Sequence, residues 1–171
     1  EIRKGRQIYV VYPLIAESEA MDYKDLQDGY ESIVRRFPMP QYHVSIVHGQ
    51  MKSEARDYEM QNFIQQKTQI LVATTVIEVG VDVANASLMI VENSERMGLA
   101  QLHQLRGRVG RGSAQSACVL MYKSPLGETA RSRLDVLRST DDGFIVAQRD
   151  LELRGPGEVL GTRQTGLHGL R

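Results

Sequence analysis

A single cysteine, Cys118, occurs among 171 residues. One thiol forms neither an internal disulfide nor a thiolate metal cluster, and its place in the apolar run "ACVLMY" predicts a core strand position. That usage fits a reducing, intracellular setting. Long apolar runs are missing too. The longest, "IYVVYPLIA", is interrupted by Pro13 and follows no charged-then-apolar leader, which argues against a membrane span and against secretion. Charge of one sign is also not in excess, with 21 Lys and Arg against 21 Asp and Glu. A uniformly basic surface is thereby excluded, so any nucleic-acid site must be local. No G-x-x-x-x-G-K-[ST] is found, hence no phosphate-cradling loop with its lysine, and no acidic Mg²⁺-binding motif follows a strand. "GPGEVLG" follows no strand and has the wrong glycine spacing for a dinucleotide fingerprint.

What is present is ordinary globular composition, 42% hydrophobic and 25% charged, enough for one domain with a core and a small appendage. Short β-rich runs alternate with amphipathic stretches: "QIYVVYPLI", residues 17–37, "YHVSIV", residues 52–66, "QILVAT", "ASLMIVE", a helix from Gly98 to about Val109, and "SACVLMYK". This alternation predicts βαβ units and a mostly parallel sheet in an α/β domain. Met60, Phe63 and Ile64 fall at i, i+3, i+4 and give the 52–66 helix one apolar face. "ILVA" and "LMIV" lack alternation, as expected of central strands buried on both faces. After Lys123 the texture shifts to two helical stretches, the second begun at Asp141 or Asp142, and then to a glycine-rich end. The expected division is an α/β domain over 1–124 and a helical extension over 125–171. Starting at Glu1 and ending on "GLHGLR", the chain reads as a piece of a longer polypeptide.

Ligands of open parallel sheets bind beyond the carboxyl ends of the strands. That rule selects His48 and Gly49 after "YHVSIV", and Thr74, Thr75, Gly80 and Asp82 in "ATTVIEVGVD". Taken alone, the threonines also fit a helix N-cap, Asp82 also fits a turn, and a lone His48 is a turn histidine more often than a contact. "QLHQLRGRVGRG" is harder to read as ordinary surface. From Arg96 through Gly127 there is no carboxylate, so Arg106, Arg108 and Arg111 lack the usual i, i+4 partners and call for an external anion. Arg108 and Arg111 are three apart and therefore share a helix face, and Gly107 and Gly110 remove side chains so that a backbone or polyphosphate can approach.

"QLHQLRGRVGR" resembles motif VI of superfamily-2 helicases, and "ILVATTVIEVGVDV" resembles their motif V, in the same order. "HGQM" is similar to the piece that follows motif IV, although "SEARDYEM" departs from the usual acidic-arginine pair after it. "DGFIVAQRDLELRGPGEVLGTRQTG" resembles the translocation motif of the RecG family of branched-DNA helicases. The transcription-repair coupling type of translocase has a version of this stretch, but with Ala at the place of Pro156 and acidic residues before the Gln.

The resemblance implies a RecA-like three-layer α/β/α fold and the second motor domain of a bacterial, cytoplasmic, nucleoid-associated DNA helicase. Its substrates would be branched DNA, namely stalled forks and Holliday junctions. ATP with Mg²⁺ would sit between this domain and a first RecA-like domain of the same polypeptide, which would hold the metal, and a wedge domain would engage the DNA. Arg108 and Arg111 would face the γ-phosphate, with Arg111 the better arginine finger and Gln104 ordering water or triphosphate nearby. Asp82 would touch the ribose, with Gly80 and Gly107 beside the nucleotide. Thr74, Thr75, His48 and Gly49 would hold DNA phosphates, and Arg163 and Gln164 would couple domain closure to DNA movement. By itself the chain is expected to hydrolyse no ATP. The alternatives are a translocase of the coupling-factor type and a non-enzymatic phosphate-binding module.

Overall fold

The β-branched and aliphatic runs form strands and the amphipathic stretches between them form helices. A computed structural model describes residues 1–75, 83–110, 112 and 115–155. The strands are β1 (Gln7–Tyr12), β2 (Val44–Val47), β3 (Ile70–Thr74), β4 (Ala86–Val91) and β5 (Ala117–Leu120). The helices are α1 (Glu19–Arg36), α2 (Ser53–Ile64), α3 (Leu99–Arg106), α4 (Glu128–Ser139) and α5 (Gly143–Arg154). Strand order is β2-β3-β1-β4-β5, and every pairing is parallel.

Two apolar clusters define the layers. On one face Leu26 of α1, flanked by Tyr23, Tyr30 and Ile33, packs on Val10, Tyr12, Ile70 and Val72. On the other, Phe63 of α2 and Leu99 and Leu102 of α3 cover Tyr9, Val11, Leu71, Met89 and Val91. Leu137 of α4 and Val146 of α5 insert into this second cluster, so the helical hairpin shares the core of the sheet. Phe63 is fully buried and meets Tyr9 edge-on at 5.0 Å, as the i, i+3, i+4 spacing of α2 requires. Asp142 caps α5, its carboxylate accepting from the Phe144 N–H at 2.8 Å.

Two expectations need correction. Every position of β3 is buried, but Leu88 and Ile90 of β4 are only partly so, and one face of "LMIV" is therefore not closed. Helix α3 ends at Arg106, not near Val109, because Gly107 is its C-cap and Gly110 takes a left-handed φ of 85°. Among the described residues no helix is long and apolar enough to cross a membrane.

Candidate functional site

Parallel register aligns the carboxyl ends of the strands. Val47 lies opposite Ala73, Tyr12 opposite Thr74, and Val11 opposite Val91, so His48, Thr74, Tyr12 and Glu92 follow one another along a single rim. Thr75 is tied into it: its N–H donates to the Tyr12 carbonyl at 3.0 Å, and its Oγ1 accepts from the Leu14 N–H at 3.0 Å. This hydroxyl therefore braces the loop after β1. Thr74 is 1% exposed, and its Oγ1 is buried with no hydrogen-bond partner among the described residues. An orphaned buried hydroxyl is costly, which marks the spot as one made for more than packing.

Helix α3 supplies the opposite wall. Leu99 and Leu102 point into the core, which leaves Gln101 and Gln104, three residues apart, on an exposed face of the helix. Thr74, Thr75, Gln101, Gln104 and Arg108 line one small cavity of about 110 Å³, with Tyr9, Val11 and Met89 among its apolar lining. The two candidate sets, threonines from one motif and glutamine and arginine from the other, thus meet across one space. The polar donors around it are hydroxyls, carboxamides and a guanidinium, and among the described residues no carboxylate lines it. Such a set suits phosphate oxygens.

His48 behaves differently from the expectation of a phosphate contact. It is half-buried, stacked edge-on against Tyr23 at 5.3 Å, with a buried Nδ1 that has no partner among the described residues. Burial pushes its pKa down, so the imidazole is neutral at pH 7 and brings no positive charge to an anion. Gly49 beside it is exposed and leaves the backbone approachable. Cys118 is likewise inert: burial pushes its thiol up to about 11.

The arginines separate by role. Arg106 does not await an external anion. Its guanidinium donates to the carbonyls of Leu137 and Thr140 at the end of α4, approaches His103 Nδ1 at 3.0 Å, and lies 3.3 Å from the exposed Asp141. Arg133 of α4 reaches back, donating to the carbonyls of Met97 at 2.9 Å and Glu95 at 3.3 Å just before α3. The hairpin is fastened to both ends of α3. Arg108 lies beyond the last residue of α3, so the helical face expected to carry it does not reach it. The glycines have internal reasons as well. A Cβ on Gly110 would collide with Ser116, and one on Gly112 would lie 2.8 Å from the Ala84 carbonyl oxygen, while Gly107 has only ordinary neighbours. Gly80, Asp82, Arg111, Arg163 and Gln164 lie outside the described residues.

One feature had no sequence signal. Asp22, 1% exposed on α1, accepts from the Ile15 N–H at 2.8 Å, from Ser18 Oγ at 3.1 Å and from Arg96. The hydrogen bonds and the Arg96 cation outweigh burial and hold its pKa below the usual carboxylate value. Arg96 precedes α3, so this pair joins the loop after β1, already braced by Thr75, to the entry of α3.

Residues 1–113 match the family model described as the helicase conserved C-terminal domain. The chain belongs to that family. It is 58% identical over 165 residues to the ATP-dependent DNA helicase RecG of Escherichia coli (strain K12), spanning 96% of this chain and 24% of the relative. The corresponding figures for RecG of Haemophilus influenzae are 54% over 170 residues, 99% and 24%. A solved structure of RecG bound to a three-way DNA junction superposes with a TM-score of 0.74 at 42% identity, covering 92% of this chain and 20% of that one. The yeast DEAD-box splicing factor Prp28, at 20% identity and a TM-score of 0.61, shares the fold. The expected RecA-like architecture and the RecG resemblance are therefore borne out. The chain spans about a quarter of the length of these curated relatives.

Proposed function

We propose that this chain is the second motor domain, with its helical extension, of an ATP-dependent DNA helicase acting on branched DNA in recombination and repair. The supporting observation is the meeting of Thr74, Thr75, Gln104 and Arg108 around one donor-rich cavity. At about 110 Å³ it is far smaller than the roughly 300–1,000 Å³ of a pocket that encloses a small molecule. Its Gln104 and Arg108 wall therefore meets part of a triphosphate only, and the first RecA-like domain of the same polypeptide holds the remainder with Mg²⁺. ATP supplies the phosphoryl group whose transfer to water drives the cycle.

Within that site Arg108 and Arg111 stabilise charge that grows on the phosphoryl oxygens, Arg111 being the finger, and Gln104 orients the water. Asp82 binds the ribose, with Gly80 and Gly107 beside the nucleotide. Thr74, Thr75 and the backbone at His48 and Gly49 hold DNA phosphates, giving affinity without sequence choice. The hairpin is fastened to α3 through Arg106 and Arg133, and Arg163 and Gln164, which follow it in the sequence, convert closure into DNA movement. Such a protein works in the bacterial cytoplasm at the nucleoid.

The test is DNA-stimulated ATP hydrolysis and three-way-junction unwinding by the full-length protein, set beside residues 1–171 alone. The full-length protein is expected to do both and the 171 residues neither. Steady DNA-stimulated turnover by residues 1–171 would refute the half-site reading.

A further inference from the structure

Helix α3 also borders a second, larger space. Leu102 and Arg106 form its α3 wall, Cys118 and Leu120 of β5 its floor, the chain between residues 122 and 126 one rim and α4 the other, around a cavity of about 790 Å³. It shares no lining residue with the donor-rich cavity. Its size lies within the roughly 300–1,000 Å³ of a pocket that encloses a small molecule. Leu102, Leu120, Leu126, Leu134 and Leu137, with Pro125, make the lining mainly aliphatic.

The charged groups in that lining are few and mostly of one sign. Arg131, Leu134, Asp135 and Arg138 fall at i, i+3, i+4 and i+7 of α4, so one stripe of the helix faces the cavity. Arg106 is already committed to the carbonyls of Leu137 and Thr140. Arg131 and Arg138 are not: among the described residues neither guanidinium has a hydrogen-bond or ion-pair partner. Asp135, one turn from each of them, is the one carboxylate in the described lining. Three guanidiniums against one carboxylate favour an anion.

We infer that this cavity is a binding site for a small organic anion with an apolar ring or alkyl body and one acidic head. Burial of the body on the aliphatic floor supplies most of the affinity. The head meets Arg131 and Arg138 at the α4 rim, and the hydroxyls of Tyr122 and Ser124 in the same lining add donors. A nucleotide is the wrong class, because leucine and proline side chains offer nothing to a base edge or to ribose hydroxyls. A neutral apolar compound is the wrong class too, since it draws nothing from the two guanidiniums.

Fluorescence titration of the full-length protein tests this with two probes that share one body, anilinonaphthalene sulfonate and its uncharged parent phenylnaphthylamine. Arg131→Glu with Arg138→Glu reverses the charge at the α4 rim, and Arg35→Glu with Arg36→Glu, in the last turn of α1, makes the same change in net charge elsewhere. Ser124→Trp narrows the cavity without altering charge. The sulfonate is expected to bind at least about tenfold more weakly to the Arg131/Arg138 variant and to Ser124→Trp than to the unaltered protein, and with unchanged affinity to the Arg35/Arg36 variant. The uncharged probe, which reports the state of the apolar floor, should lose affinity only with Ser124→Trp. Sulfonate binding that ignores Ser124→Trp, or that weakens equally in both charge-reversed variants, overturns the inference. So does displacement of the sulfonate by MgATP, which means the nucleotide site, or the lack of any sulfonate binding to the unaltered protein.

Discussion

Gly29 sits inside the 18-residue helix α1, where glycine costs about 1 kcal/mol relative to alanine. Its reason is Tyr12, whose phenol occupies the place a Cβ would take. The Tyr12 ring is 8% exposed, and burial with the charges of Glu92 and Asp25 pushes its pKa up to about 12. Gly29→Ala is expected to destabilise by about 1–3 kcal/mol in denaturant unfolding, overpacking outweighing the gain in helix propensity. A stabilised variant would show that the ring yields easily. His48 gives a pH dependence of definite sign. Its folded pKa lies below its unfolded value, so the unfolded chain binds the proton more readily. Stability is complete above the ordinary histidine pKa and falls as pH drops toward the depressed folded value. Unfolding midpoints followed between about pH 7 and 5 should decline, and His48→Gln should flatten part of that decline; an unchanged slope would mean that His48 contributes nothing to it.

At the scale of elements, α3 is the part on which the other pieces converge. It carries Gln104, leads to Arg108, and receives the hairpin through Arg106 and Arg133. Arg106→Ala removes the donor for the carbonyls of Leu137 and Thr140 and is expected to cost about 1–3 kcal/mol. It should also reduce unwinding more than ATP hydrolysis in the full-length protein, because the hairpin no longer follows α3. Equal losses in the two activities would give Arg106 a purely structural role. Much of this level was legible beforehand. Met60, Phe63 and Ile64 announced α2 and the apolar runs announced β3 and β4, but the lack of carboxylates around Arg106 pointed to an external anion and not to its partner within the chain. The identity of that partner was not legible, since backbone carbonyls 31 and 34 residues away leave no mark in side-chain pattern. The Asp22–Arg96 pair, 74 residues apart, was hidden for the same reason. Helix periodicity also overran α3 by three residues, because Gly107 caps it and Gly110 takes a left-handed φ.

For the whole molecule, the donor-rich cavity beside α3 is too small to enclose a nucleotide. That fits a domain that functions inside a longer polypeptide, as in relatives about four times its length. The central claim is that this domain contributes positive charge to a transition state formed in a site completed by its partner domain. Its most direct test is steady-state, DNA-stimulated ATP hydrolysis by the full-length protein carrying Arg111→Ala, with Arg111→Lys alongside. A fall in kcat of about 10³ or more with little change in KM, and poor rescue by lysine for want of a planar fork, is the expected result. An increase in KM with kcat unchanged would make Arg111 a ground-state contact and contradict the claim.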